Sequence, residues 1–387
     1  MKFIDKAAKL RKKVEGLYIY GIGLYGQTMY QTLMQNQIKV DGFTITICKE
    51  EKDLFGLPVV GIQEILDKNV GLVLGLNKFN TLEVLEFLEK RRFDMDLVLY
   101  RKEFVRNEDT MNRNPMIEVT TKIGCKVNCR YCPQDLLISS YFKNNQQRKN
   151  LMELEDFKKC LNKLPVDCDV IFCGMSEPLL NPQCVEMMQL ACDTGRTVEL
   201  FTTLVGASME DVDKICELPL NLVTLHVADR FGYAHIPVSE DYYNMVERMI
   251  NAKRKDGTAL VNTCSSQGEA DDRIKEICAG KCEIITALHD RAGNLQGDNL
   301  MKQELLQGKI SCSFCGRAMN RNILLPDGSV LLCCMDYGMK HTLGNLLEQT
   351  YDEVMCSTVM QNIKKGIGGD EKIELLCRMC SQAHNVE

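Results

Sequence analysis

Cys125, Cys129 and Cys132 stand at C-x₃-C-x₂-C spacing, directly after an apolar run from Ile117 to Ile123. Thiolates this close together are the usual ligands of iron–sulfur clusters, and closely spaced ones fit a loop wrapped around one cube. Three ligands are one short of a full set for a [4Fe–4S] cluster, which leaves one iron open to a small molecule. A zinc loop is the other reading, although structural zinc normally takes four protein ligands. A second set of thiols lies towards the end of the chain. Cys315 and Cys333 have seventeen residues between them, with Asp327-Gly328 at a hairpin turn before an apolar strand. Cys377 and Cys380 follow as C-x₂-C, and the four together can close a four-thiolate site holding a cluster or zinc. Cys312 and Cys334 are rival ligands that spacing does not exclude.

The first loop reads Cys125-Lys-Val-Asn-Cys129-Arg-Tyr-Cys132, and downstream comes Cys173-Gly174-Met175-Ser176-Glu177-Pro178. On these residues the chain resembles the radical SAM superfamily. The resemblance implies a [4Fe–4S] cluster on the three cysteines, with S-adenosylmethionine (SAM) chelating the fourth iron. It also implies that Gly174 makes a tight turn and that Glu177 grips the amino group of SAM. An ammonium beside a cluster wants an anionic acceptor in a dry site; the plainer reading is a helix start with Glu177 and Pro178 in its first turn. Tyr131 matches the position that packs on adenine. Thr202 and Thr203 end the third strand of the predicted barrel, where relatives contact the ribose or carboxylate of SAM, and Asn262 is a further carboxylate contact.

The C-terminal cysteines, with Cys333-Cys334-Met-Asp336 and Leu343-Gly344-Asn345-Leu346, resemble the SPASM and twitch auxiliary-cluster domains. That resemblance implies one auxiliary [4Fe–4S] cluster on Cys315, Cys333, Cys377 and Cys380. Around the predicted barrel mouth, His226, His289 and Arg291 are candidate substrate contacts, since hydrogen-bonding groups there suit a polyhydroxylated substrate. A core histidine and a solvated turn at Gly293 are the bland readings of the same residues. Cys264 and Cys312 are candidates for a thiol that returns a hydrogen atom in an epimerisation.

These motifs need a scaffold. From Leu17 to Leu99 strands and helices alternate, which argues for a parallel sheet with helices on its faces. Gly21-Ile-Gly23-Leu-Tyr-Gly26 follows the first strand and opens a helix, as a phosphate-holding turn would. Glu50 and Glu51 follow the second strand, where a ribose-binding acid sits. The region resembles the small Rossmann-like domains of sugar-modifying enzymes and reads either as a nucleotide site or as a docking domain. After a polar linker, Arg106–Asn114, strands are expected at 117–123, 169–174, 198–204, 222–229, 259–264 and 283–288, with helices between them. The fold class is therefore α/β: a partial (β/α)₆ TIM-type barrel, an N-terminal Rossmann-like α/β domain and a small C-terminal iron–sulfur domain. The boundaries fall at 1–112, 113–300 and 301–387. Reactive groups of such barrels sit at the C-terminal strand ends, where the cysteine loop falls.

Composition excludes other classes. The 387 residues carry 47 basic and 53 acidic side chains, a net charge of −6, which disfavours a nucleic-acid partner. No run reaches the ~18 apolar residues of a membrane span, and the charged N-terminus lacks the apolar core of a secretion signal. Twenty cysteines without an export signal point to metal or cluster binding in a reducing cytoplasm. The resemblance then implies an enzyme that cleaves SAM reductively to a 5′-deoxyadenosyl radical and removes a substrate hydrogen atom. It further implies a flavodoxin- or ferredoxin-type electron donor. The favoured substrate is a sugar, aminocyclitol or glycan-linked small molecule, oxidised or epimerised. A peptide or protein maturase is the alternative, and a non-enzymatic iron–sulfur electron carrier is the reading from another class.

Overall fold

The structure, a computed structural model, describes residues 3–22, 24–46, 52–76, 78–100, 114–143, 148–279, 282–284, 288–295, 300–301 and 304–386. Gly23, the Glu50–Glu51 pair and most of the polar linker lie outside the described residues. The chain forms two compact units, Met1–Asn112 and Arg113–Glu387.

In the first unit α1 (Phe3–Lys13) precedes β1 (Gly16–Tyr20), and α2 (Leu24–Gln35) precedes β2 (Gly42–Ile45). A hairpin of β3 (Lys52–Leu54) and β4 (Leu57–Gly61) comes next, then β5 (Val70–Leu74), α3 (Lys78–Lys90) and β6 (Val98–Leu99). The sheet order is β3-β4-β2-β1-β5-β6, parallel except at β3. Counting only parallel strands, the order is third, second, first, fourth, fifth, the arrangement of a doubly wound Rossmann sheet. All five residues of β5 are buried, as expected of a central strand covered on both faces. The turn after β1 is packed to backbone contact. A Cβ on Gly26 would stand 2.0 Å from the Gly21 carbonyl oxygen, and one on Gly75 would stand 2.6 Å from Gly26 Cα. The edge strand β3 was not foreseen; it is three residues long and turns back through Phe55 and Gly56, both at positive φ.

The second unit is built on a nine-stranded sheet. Its first strand is β7 (Met116–Val119), followed by α4 (Gln134–Phe142), α5 (Leu154–Lys163) and β8 (Asp169–Phe172). Then come α6 (Cys184–Asp193), β9 (Val198–Thr202), α7 (Met209–Glu217), β10 (Leu222–His226), α8 (Glu240–Asn251), β11 (Thr263–Ser266), α9 (Asp272–Cys278) and β12 (Cys282–Ile284). These six strands lie side by side in chain order, all parallel, as a partial (β/α)₆ barrel requires. Among the described residues the sheet is open. The helices pack by amphipathic stripes: α8 is capped by Ser239 and buries Tyr242, Met245, Val246 and Met249 at three- and four-residue spacing. Each such side chain removed from water contributes about 1.5–3 kcal/mol.

Short pairs β13 (Leu288–His289) with β14 (Leu300–Met301), and β15 (Ile310–Cys312) with β19 (Ala383–Asn385), stand apart from the large sheet. β16 (Arg321–Leu324) pairs in parallel with β7, and β17 (Ser329–Leu331) and β18 (Thr342–Asn345) continue the sheet antiparallel. The C-terminal hairpin is thus hydrogen-bonded directly onto the first barrel strand. Its turn needs glycine, because Gly328 has φ +82° and a Cβ there would sit 2.6 Å from Asn345 Oδ1. α10 (Tyr351–Met355) and α11 (Thr358–Ile367) lead to the last cysteines. Among the described residues no helix is long and apolar enough to cross a membrane.

One strand lies elsewhere than expected. The fifth barrel strand begins at Thr263, not Ala259; Leu260 and Asn262 form the turn that feeds it.

Candidate active site and auxiliary cysteine site

The loops after β7, β8 and β9 meet over a cavity of about 260 Å³. Its walls include Cys125, Cys129, Tyr131, Cys132, Gly174, Ser176, Glu177, Thr202, Thr203, His226 and Arg291, all read from the sequence or its motifs. Cys173, Gln134, Gln267 and Tyr337 line it too. The thiols stand at the C-terminal strand ends, as the barrel geometry dictates.

The loop after β8 is rigid for local reasons. Gly174 has φ +66°, and a Cβ there would meet Thr120 Oγ1 at 2.2 Å. That hydroxyl also accepts from Met175 N–H at 3.0 Å. Pro178 opens a single 3₁₀ turn, whose carbonyl accepts from Thr121 Oγ1. The Asn181 amide donates to the carbonyls of Thr121 and Met152.

Glu177 is fixed by this turn and is 5% exposed. Its Oε1 accepts from Thr202 Oγ1 (2.6 Å) and Leu179 N–H (3.2 Å). Its Oε2 accepts from Thr203 N–H (2.6 Å) and Thr203 Oγ1 (2.7 Å). Burial raises its pKa despite these four bonds, which pull the other way. No cation pairs with it among the described residues. A carboxylate buried among neutral donors is short of positive charge, and a ligand ammonium would supply it. Thr202 and Thr203 therefore hold Glu177 in this structure.

The cysteine loop is held from several sides. Glu177 N–H donates to Cys125 Sγ at 3.4 Å, and Gln134 Nε2 donates to Cys132 Sγ at 3.3 Å. Gln134 Oε1 accepts from Cys125 N–H at 3.3 Å, and the Tyr337 hydroxyl lies 3.5 Å from Cys132 Sγ. Burial lifts the Cys129 thiol to about 12, although a hydrogen bond from Tyr131 opposes it. Thiols this dry resist ionising unless a metal compensates the charge. Two buried polar atoms on the cavity wall, Ser176 Oγ and Gln267 Oε1, have no partner among the described residues. Three thiols, a lone buried carboxylate and two orphaned polar atoms fit a [4Fe–4S] cluster with SAM. Among the described residues no three His, Cys, Asp or Glu side chains are placed to hold a single metal ion.

Other predicted residues fall differently. His226 reaches the cavity from the end of β10, with Nδ1 2.9 Å from Ser265 Oγ, and burial first, then the Arg291 charge, lowers its pKa to about 4. Arg291 reaches it through a left-handed backbone turn, φ +55°. The side chain of His289 lies outside the described residues. Asn262 does not reach the cavity: its Oδ1 accepts from Val223 N–H (2.9 Å) and Arg254 Nη2 (2.6 Å) at the opposite, N-terminal end of the strands. Cys264 is also elsewhere. It points out of the barrel towards α9, 3.5 Å from Cys278 Sγ, while its neighbour Ser265 faces inward to His226.

Cys312 belongs to a second cavity, lined by Cys312, Cys315, Cys333, Cys334, Cys377 and Cys380 with Glu118, Phe314, Arg321 and apolar side chains. Burial pushes the Cys377 and Cys333 thiols well up, and Cys380 to about 11. The donor set fits a four-thiolate cluster with two thiols to spare. Asp336 accepts from Lys340 N–H and His341 N–H, and Asn345 Nδ2 donates to Asp327 O. These two motif residues shape the loops that carry the cysteines.

Sequence reasoning passed over Gln134, Ser265, Gln267 and Tyr337, and gave Glu118 and Cys173 no role. Gln134 follows the third cysteine by two residues, a local signal; the others are brought in by strands or loops remote in sequence.

Residues 315–381 match the family model SPASM, described as an iron–sulfur cluster-binding domain. Those residues thus carry a SPASM iron–sulfur cluster-binding domain, and it continues a parallel β/α sheet whose strand ends hold the cysteine–Glu177 cavity. No curated protein matches the chain. Among solved structures, BtrN in complex with AdoMet and 2-DOIA is similar at 17% identity and a TM-score of 0.44, covering 71% of this chain and 94% of that one. SuiB of Streptococcus suis bound to precursor peptide SuiA gives 11% and 0.44, covering 79% and 82%. anSMEcpe with bound AdoMet gives 15% and 0.36, covering 69% and 85%. At TM-scores below 0.5, none of these likenesses assigns a substrate to this chain.

Proposed function

We propose that the chain is a radical SAM enzyme that removes a hydrogen atom from a sugar, aminocyclitol or glycan-linked substrate and oxidises or epimerises it. The observation that carries the radical chemistry is the buried, cation-free Glu177 in the same cavity as Cys125, Cys129 and Cys132. Those cysteines would hold a [4Fe–4S] cluster, and SAM bound there would supply a carbon-centred radical. Glu177 would hold the amino group, and Tyr131 would face the adenine. The remaining wall excludes water and orients the substrate carbon. His226, Gln267, Arg291 and Tyr337 are hydrogen-bonding groups suited to hydroxyls. The Rossmann strand order of the first unit supports a sugar-processing setting over a peptide-leader-binding one.

Cys173 is the cavity's one described cysteine outside the cluster loop. It replaces Cys264 and Cys312 as the thiol suited to returning a hydrogen atom. Cys173→Ala would stop product formation in an epimerase and spare it in an oxidase.

The test is anaerobic reconstitution, reduction with dithionite and detection of 5′-deoxyadenosine. None formed, with SAM and both clusters present, would favour an electron carrier. Deuterium transfer into 5′-deoxyadenosine from labelled sugars, and not from labelled peptides, would support the substrate class; the reverse would favour a maturase.

A further inference from the structure

Glu118 lies within β7 and is 2% exposed, yet neither cluster loop uses it. Its two oxygens face two ways. Oε2 accepts from the Cys173 thiol at 3.4 Å, and Oε1 accepts from Arg321 Nε at 2.5 Å. β7 and β16 pair with Glu118 opposite Ile323, so Arg321, two residues earlier on β16, projects from the same face. Cys173 lines the cavity of the three-cysteine loop, whereas Glu118 and Arg321 line the auxiliary one. Glu118 is therefore part of the wall between the two cysteine sites.

A buried ion pair is a poor source of stability, because desolvation offsets its attraction. Its place beside a cluster site gives it another use. Four thiolates and their iron carry net negative charge, which grows on reduction, and reduction potential follows local charge and burial. A bare guanidinium at that wall would favour the reduced state. A carboxylate on the guanidinium cancels the bias, more strongly in a dry site than in water.

We propose that Glu118 is a positioning residue that sets the reduction potential of the auxiliary centre by neutralising Arg321, while its second oxygen holds Cys173 in the catalytic cavity. The inference rests on the SPASM cysteines holding a cluster and is independent of the substrate.

The test is a potentiometric titration, followed by electron paramagnetic resonance, of the full chain reconstituted at both sites. Glu118→Gln keeps the shape and removes the charge, so the auxiliary signal should move to higher potential with iron content unchanged. Arg321→Met should move it lower, and the double variant should return close to wild type. Wild-type protein without a second cluster signal would fail the domain reading itself. An auxiliary potential unmoved in Glu118→Gln, or moved the same way in both single variants, would overturn this inference alone. Should Glu118→Gln not take up iron, Arg321→Met against the double variant decides: the same potential in both rules the coupling out.

Discussion

The backbone N–H of Glu177 donates to Cys125 Sγ at 3.4 Å, while its carboxylate takes hydrogen bonds from Thr202 and Thr203. One residue on the loop after β8 thereby fixes both the cysteine loop after β7 and the end of β9. The anion site and the metal site are built as a single object, and neither can shift without the other.

Replacing that carboxylate tests the object directly. Glu177→Gln keeps the size and loses the charge, so SAM affinity should fall about 10- to 100-fold, as for one charge-assisted hydrogen bond of about 1.5–3 kcal/mol. Equilibrium dialysis of reconstituted protein measures it, with the iron of the first site retained. Unchanged affinity would remove Glu177 from the SAM site.

The two cysteine sets should be separable by iron analysis. Cys129→Ala should lose about four irons and all SAM cleavage. Cys377→Ala should lose a similar number and leave the first cluster's spectrum in place. Loss of both signals in either variant would mean that the sites assemble together.

Gly174 is a steric requirement. Gly174→Ala puts a methyl group 2.2 Å from Thr120 Oγ1 at φ +66°. Strain of about 1–3 kcal/mol, plus displacement of the Thr120 bond to Met175, should lower the melting temperature by several degrees. A melting curve equal to wild type would contradict the turn.

His226 gives stability a pH dependence of known sign. Its pKa falls from 6.5 to about 4 on folding, so between those values the unfolded chain binds a proton that the folded one does not. Its contribution is complete above pH 6.5 and is lost as pH falls towards 4. Urea unfolding at pH 7 and pH 5.5 should show wild type losing about 1 kcal/mol more than His226→Asn. Equal losses would place His226 in a wetter site.

Much of this was legible in the residues. The spacing of Cys125, Cys129 and Cys132 after an apolar strand placed them together on a barrel rim, because three thiols so close in sequence share one short loop. Period and turn residues located the six parallel strands and the Gly328 hairpin, since these are local properties. Asn262 and Cys264 were misplaced for a local reason as well. The run Ala259–Cys264 is apolar enough for a strand, but Asn262 caps the turn before it. A strand start four residues late, with Cys264 on the outer face, turned Ser265 inward instead.

Sequence alone thus determined which thiols are grouped and which strand ends carry them, because spacing along a chain limits what one loop can enclose. Only the tertiary structure decided that Glu118 joins Cys173 to Arg321, that Tyr337 reaches Cys132, and that Cys312 sits among the auxiliary thiols. Those contacts cross sheet neighbours far apart in the chain, and side-chain meetings of that kind are set by strand register.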